Sequence, residues 1–170
     1  MPSYKAVASA WRDRSALRPV RDAVAPFERG TNAAGDGPYQ VQEQLQSMMQ
    51  ELVGIVRTEP EMARALTGIA RLREKARQVG VAGNREYNPG WHTALDLANL
   101  LTVSEAIALS AIERRESRGG HFRDDHPEKS AAGATYNNVI RKGEDGGMHL
   151  SREPLRPLPP ELAQIIEEQK

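Results

Sequence analysis

The chain has 170 residues, and its 23 Lys and Arg balance its 23 Asp and Glu, so the formal net charge is zero. That length allows one compact domain with a tail, but not two full ones. Balanced charge supplies no overall field for nucleic acid or anionic lipid, and zero cysteines exclude disulfides, thiolate-held metals and Cys nucleophiles. Aromatic residues make up only 5%, too few to stack successive bases of a single strand. Residues 1–29 carry six basic against three acidic side chains, and residues 59–90 six basic against four Glu. Both clusters read as solvated faces, not as a nucleic-acid surface. No stretch is expected to approach the ~20 apolar residues of a membrane span, and no cleavable leader is expected. The expectation is a protein of a reducing compartment, without direct membrane insertion.

In chain order, Leu17, Val20, Val24 and Phe27 are spaced by 3 and 4, which suits a short amphipathic helix within residues 3–29. Pro26 is expected to end or kink it early. Residues 30–37 hold three glycines and read as a loop. Pro38 then opens a helix whose Val41, Leu45, Met48, Met49, Leu52, Val53 and Val56 form one apolar stripe, with glutamines and glutamates opposite. The Met pair at this spacing packs a core; no other thioether or thiol accompanies it as a soft-metal ligand. Thr58 is expected to cap the next helix, with Pro60 in its first turn and Met62, Leu66, Ile69, Ala76 and Val79 on its buried face. From residue 91 to about 116, leucines, isoleucines and alanines point in nearly every direction. Such a helix is expected to lie at the heart of the fold, covered on several sides.

The pattern breaks at Gly119 and Gly120, and Pro127 forbids a restart. Residues 136–142 and 148–154 flank a glycine-rich turn, with Val139 and Ile140 on one side and Met148 and Leu150 on the other, as in a β-hairpin. A proline-rich stretch, residues 154–160, is extended. It reads either as a PxxP ligand for an aromatic groove or, in preference, as a rigid tail laid over the domain's own surface. Residues 161–168 make a last short helix. The fold class is therefore mainly α: a three-helix antiparallel bundle of the spectrin-repeat kind, with a C-terminal hairpin and a short terminal helix. Its expected division is an N-terminal segment (1–29), the bundle with its polar motif (30–127), and a hairpin with tail (128–170).

Chemical information concentrates in residues 114–127, RRESRGGHFRDDHP, where the apolar helix emerges. Three readings compete. His121 and His126 with Asp124 or Asp125 offer metal ligands, but Arg118 and Arg123 beside them repel a cation. His121 among Arg and Asp groups suits proton transfer. Arg118 and Arg123 also suit bidentate pairs with Glu116 and Asp125 that cross-link a helix end, and on physical grounds this reading leads.

The stretch ESRGGHFRDDHP, residues 116–127, resembles the ESRG-x-H-x-R-x-D-x-P segment of succinate dehydrogenase and fumarate reductase flavoprotein subunits. L-aspartate oxidase carries a very similar segment. Asn88, Pro89, Gly90 and Trp91, followed by Leu97, Asn99 and Leu100, resemble the start of the family's long helix. Pro38, Tyr39, Gln42, Leu45, Met49, Gly54, Ile55 and Arg57 resemble its first helix. Residues 136–154 resemble the succinate dehydrogenase hairpin, which favours that branch. The resemblance spans about residues 26–168. It departs at Gly120, where many relatives have alanine, and in the shortened loop between Pro127 and Tyr136.

The resemblance implies a C-terminal helical domain packed on a flavin-binding domain near an iron–sulfur subunit. FAD, the dicarboxylate and the proton donor would be held by the earlier domains. No G-x-G-x-x-G follows a strand here, so no cofactor, metal or catalytic residue is expected in this chain, which is expected to be inactive alone. Arg118, His121, Arg123 and Asp125 match the motif and are the candidate domain-interface residues. A stand-alone helical assembly module and the L-aspartate oxidase branch remain the alternatives.

Overall fold

The computed structural model describes residues 18–30 and 35–169, and residues 3–17 of the stretch 3–29 in which a helix is expected lie outside them. Five helices and two small sheets run in the order α1 (Arg18–Arg29), α2 (Pro38–Leu52), β1 (Val56–Arg57), α3 (Glu59–Gln78), α4 (Pro89–Glu113), β2 (Phe122–Arg123), β3 (Tyr136–Lys142), β4 (Met148–Pro154) and α5 (Pro160–Glu168). A 3₁₀ turn, Ala132–Thr135, leads into β3.

Helices α2, α3 and α4 form the expected bundle. Its buried core holds Val41, Leu45 and Leu52 from α2, Met62, Ala65, Ile69 and Leu72 from α3, and Leu97, Leu101, Ala108 and Ala111 from α4. Their spacings of 3, 4 and 7 lay one stripe per helix against the other two. Thr58, extended at φ −129°, holds the N-cap position of α3 and Pro60 lies in its first turn, as expected, but the Thr58 hydroxyl caps no backbone N–H and donates instead to Glu61 Oε2 at 2.7 Å. Glu59 and Glu61 in that turn, with Lys75 and Arg77 in the last, complement the helix dipole.

Several expectations change. Pro26 does not end α1: it is buried within the helix, which continues to Arg29. The Pro26 carbonyl accepts from the Val81 N–H at 2.9 Å, so packing on the residues after α3 holds this segment in place. The apolar stripe of α2 overruns the helix, which stops at Leu52; Val53 is buried beyond it and Val56 is exposed in β1. There the backbone pairs with β2 instead of continuing the helix.

Third, α4 is not covered all round. Leu97, Leu101, Ala108 and Ala111 are buried, but Val103 is 58% and Ile107 45% exposed. The same helix reaches a mean hydropathy of 1.5 over 18 residues, long and apolar enough to cross a membrane by length and composition. That corrects the expectation that no such stretch exists: interspersed Ala, Ser and Thr dilute a strict apolar run without adding charge. Fourth, the tail does not lie over the bundle. Leu155, Leu158, Leu162, Ile165 and Ile166 remain about half exposed.

The hairpin forms at the expected residues, antiparallel from Tyr136 opposite Pro154 to Lys142 opposite Met148. The Asn138 amide donates to the Ser110 carbonyl at 3.0 Å, and the Arg152 Nε donates to the Glu113 carboxylate at 2.7 Å. Both contacts fasten the hairpin to the C-terminal end of α4.

Candidate functional site

Three helix termini meet at one end of the bundle: the C-terminal ends of α2 and α4, and the N-terminal end of α3. Helix ends leave backbone groups without helical partners, and the polar motif supplies those partners. Arg123 is fully buried. Its Nη1 donates to the carbonyls of Ala111 and Ile112 at 3.2 Å each, in the last turn of α4. Its Nε and Nη2 form a two-pronged bridge to Asp125, both at 2.6 Å. The same Asp125 carboxylate accepts from the Glu59 N–H at 2.8 Å and so caps the start of α3 from 66 residues away. The Arg123 guanidinium and these N–H groups hold Asp125 well below the usual carboxylate range.

The short parallel ladder between β1 and β2 brings these groups together, with Val56 beside Phe122 and Arg57 beside Arg123. Ser117 reinforces it from within: its Oγ accepts from the Arg123 N–H at 2.8 Å and lies 2.9 Å from the His126 carbonyl oxygen. Between them the chain reverses through Arg118, Gly119, Gly120 and His121, closed by reciprocal backbone bonds of 2.7 and 3.0 Å. Gly119 takes φ +58° at the first central position of this turn, a left-handed conformation that glycine adopts without steric cost.

Glu116 is the second anion of the knot, and unlike Asp125 it is buried. It accepts from Arg114 at 2.6 Å, from Arg118 Nη2 at 2.9 Å and from the Ser130 N–H at 2.9 Å. Arg118 foremost, with Ser130 and Arg114, lowers its pKa to about 2 against the cost of burial. Gly133 passes so close that a Cβ there would lie 2.0 Å from a Glu116 carboxylate oxygen. Arg114 also donates to the Gly133 carbonyl at 2.9 Å and the Tyr136 carbonyl at 3.2 Å, joining the knot to the hairpin.

His121 has both ring nitrogens engaged. Nδ1 lies 2.8 Å from Arg57 Nη1, and Nε2 lies 3.0 Å from the Arg114 carbonyl oxygen. A guanidinium only donates, so Nδ1 is the acceptor and the proton sits on Nε2. Burial first, then Arg57, Arg123 and Arg114, push its pKa below the ordinary value. The ring bridges Arg57 and the end of α4, and among the described residues no carboxylate hydrogen-bonds to it. The ligands of the disfavoured metal reading, His121 and His126 with Asp124 or Asp125, are not grouped among the described residues. Glu59, Asp125 and His126 come within 4.8 Å of one another, but the Arg123 guanidinium already occupies Asp125. Among the described residues no strand–glycine turn–helix unit offers a cradle for a dinucleotide, so no step of flavin chemistry is assigned to these side chains.

Four candidate positions thus divide. Arg123 and Asp125 meet directly, Arg118 pairs with Glu116, and His121 joins Arg57 to the end of α4. The expected pairs of Arg118 with Glu116 and of Arg123 with Asp125 are both present. Arg57, Arg114, Ser117 and Gly133 belong to the same knot and were not singled out for it. Arg57 stands 64 residues away from His121, and only the β1–β2 ladder brings them together.

Comparison with known proteins follows this geometry. Residues 42–163 match the family described as "Fumarate reductase flavoprotein C-term". The fumarate reductase flavoprotein subunit of Haemophilus influenzae is 29% identical over 139 residues, covering 81% of this chain and 23% of that protein. The succinate dehydrogenase flavoprotein subunit of Coxiella burnetii is 31% identical over 129 residues, covering 74% and 22%. Mycobacterium smegmatis Sdh1, in a structure with UQ1, superposes with a TM-score of 0.82 at 37% identity, covering 92% of this chain and 26% of that one. The chain therefore spans about a quarter of the length of the relatives it matches. With 122 consecutive residues matched and the same bundle superposed, the chain belongs to the C-terminal domain family of succinate dehydrogenase and fumarate reductase flavoproteins.

Proposed function

We propose that this chain is the C-terminal helical domain of an oxidoreductase that interconverts succinate and fumarate. In that reading FAD and the dicarboxylate are held by a flavin-binding portion, and electrons pass on to an iron–sulfur subunit. The whole assembly is cytoplasmic, peripheral to the membrane through its partner subunits. The observation that carries the reading is the open apolar face of α4, with Val103 and Ile107 exposed beside the knot. Such faces mark contact surfaces, and relatives four times as long supply a portion to cover it.

The four motif residues divide the work of that junction. Arg123 and Asp125 act from inside, fixing where α3 and α4 end. Arg118, whose side chain is 37% exposed, and the half-buried His121 stand at the surface of the same knot, where a neighbouring domain would meet them. Residues 1–29 would join the domain to the flavin-binding portion.

The test pairs the purified chain with a flavin-binding portion. The chain alone should show no flavin absorbance and no succinate-dependent dye reduction, and the pair should show both. Bound FAD with turnover by the chain alone would refute the division of labour. L-aspartate turning over in place of succinate would move the assignment to the oxidase branch. A chain that never associates would favour a separate helical module.

A further inference from the structure

Arg57 is the arginine of the knot that makes no ion pair among the described residues. Arg114 and Arg118 share Glu116, and Arg123 holds Asp125. Arg57 spends its Nε on the carbonyls of Val53 and Gly54 and one Nη on His121. Among the described residues no carboxylate lies within ion-pair distance of it, although it is half-buried and desolvation weakens its hold on its proton. A desolvated cation without an anion is unfavourable unless something supplies one.

What lies beside it is a trough of about 820 Å³ between α4 and β3, with Arg57, Arg114 and His121 at one end. Its middle is apolar, formed by Val103, Ala106, Ile107 and Ile140. A second cavity of about 690 Å³ shares Val103, Ala106 and Ile140 and extends the trough to the hairpin tip. The single acid along it, Glu105, is already paired with Arg73 at 2.7 Å. The surface is thus aliphatic through its middle, with Ser110, Asn137 and Asn138 towards the Arg57 end and Arg73 and Lys142 towards the hairpin tip, and nothing acidic in it answers Arg57.

We infer that this trough receives a segment of the flavin-binding portion that is aliphatic along Val103 and Ile107 and ends in an aspartate or glutamate paired with Arg57. The inference rests on the domain assignment above, since about three quarters of each matched relative lies outside the region this chain covers. It adds the chemistry of the contact and its anchor. Burying an aliphatic strip supplies the bulk of the association, and the carboxylate fixes its register, because a wrong register would leave Arg57 desolvated and unpaired.

The experiment uses a whole flavoprotein: the Haemophilus influenzae subunit with its C-terminal region exchanged for residues 18–170 of this chain. Arg57→Lys places a primary amine at the anchor, and a water-soluble carbodiimide then tests for a carboxylate beside it. The reagent activates the carboxylate, the amine displaces it as a urea, and an amide forms with net loss of one water. Peptide mass spectrometry should find this amide joining position 57 to an Asp or Glu of the flavin-binding portion, and Arg57→Gln should lack it. In parallel, Val103→Cys should react with a maleimide at least tenfold more slowly in the whole flavoprotein than in this chain alone. A chimaera that retains FAD but forms no such amide, or forms it to Glu161, Glu167 or Glu168 of the tail, to a second copy or to an iron–sulfur subunit, overturns the inference and leaves the domain assignment standing. A folded chimaera that holds no FAD overturns the assignment and the inference with it.

Discussion

Replacing Arg123 with methionine keeps much of the volume and removes the charge at the centre of the knot. Two kinds of loss follow. The last-turn carbonyls of Ala111 and Ile112 lose their charged donor, and hydrogen bonds to charged groups contribute roughly 1.5–3 kcal/mol each. Asp125 loses both prongs and keeps only the Glu59 N–H; removing one partner of a buried pair costs about 3–5 kcal/mol. These sums are not additive, and Asp125 is partly exposed and can rehydrate, so the lower part of the range applies. A loss of about 3–4 kcal/mol is expected, which lowers Tm by about 10 °C for a domain of this size. Urea unfolding followed by circular dichroism at 222 nm reads it directly. Arg123→Met/Asp125→Asn should recover part of the loss, because the stranded carboxylate is gone. A single-mutant loss below about 1 kcal/mol, or a double mutant less stable than the sum of both singles, would refute the account.

His121 predicts a pH dependence with a definite sign. Its folded pKa lies below the ordinary 6.5, so the unfolded chain binds the proton more readily; stability is full above about pH 6.5 and falls as pH drops towards the folded value. Urea midpoints between pH 8 and 5 should show this slope, and His121→Gln should remove it. Glu116, lowered from 4.5 to about 2, contributes stability above its unfolded value that is lost between about pH 4.5 and 2, a separate acid transition absent in Glu116→Gln. Gly133→Ala should cost about 1–3 kcal/mol in the same urea assay, because its Cβ would strike the Glu116 carboxylate. Ile107→Ser should leave the unfolding midpoint of this chain within about 0.5 kcal/mol, as befits an exposed site. A larger loss would mean that the open face of α4 is packed in solution.

The sequence carried the bundle because its signals are local. Apolar spacing marked the core faces of α2 and α3, Pro38 and Thr58 marked their starts, and five residues rich in glycine marked the hairpin turn between Lys142 and Met148. It failed where burial depends on what the rest of the chain does. Periodicity shows that α4 is apolar all round, yet cannot tell a helix covered by its own chain from one waiting for another surface. Pro26 misled for the same reason: a helix break costs free energy, and burying the residue offsets it. Within the motif, adjacent arginines and carboxylates suggested Arg118 with Glu116 and Arg123 with Asp125. The assignments of Arg57 to His121 and of Asp125 to the α3 N-terminus span more than sixty residues and exist only once β1 pairs with β2.

The geometry of an antiparallel bundle explains why so many charges gather at this end. The outer two helices of the three present one pole there and the middle helix the other, so the C-terminal ends of α2 and α4 each carry about half a negative charge and the start of α3 about half a positive one. Arg57 sits on the carbonyls just past α2, Arg123 on those of α4, and Asp125 on the first N–H of α3. Two cations and one anion answer two negative poles and one positive pole, each by direct hydrogen bonds. The poles are only half charges, however, and the three side chains carry whole ones, so these three alone leave about half a positive charge, to which Arg114 and Arg118 sharing Glu116 add one more. Arg123 and Asp125 neutralise each other through their bridge, which places the remainder of those three on Arg57. Helix capping alone therefore leaves Arg57 without a carboxylate at the mouth of the trough, which is the place the inferred segment would fill.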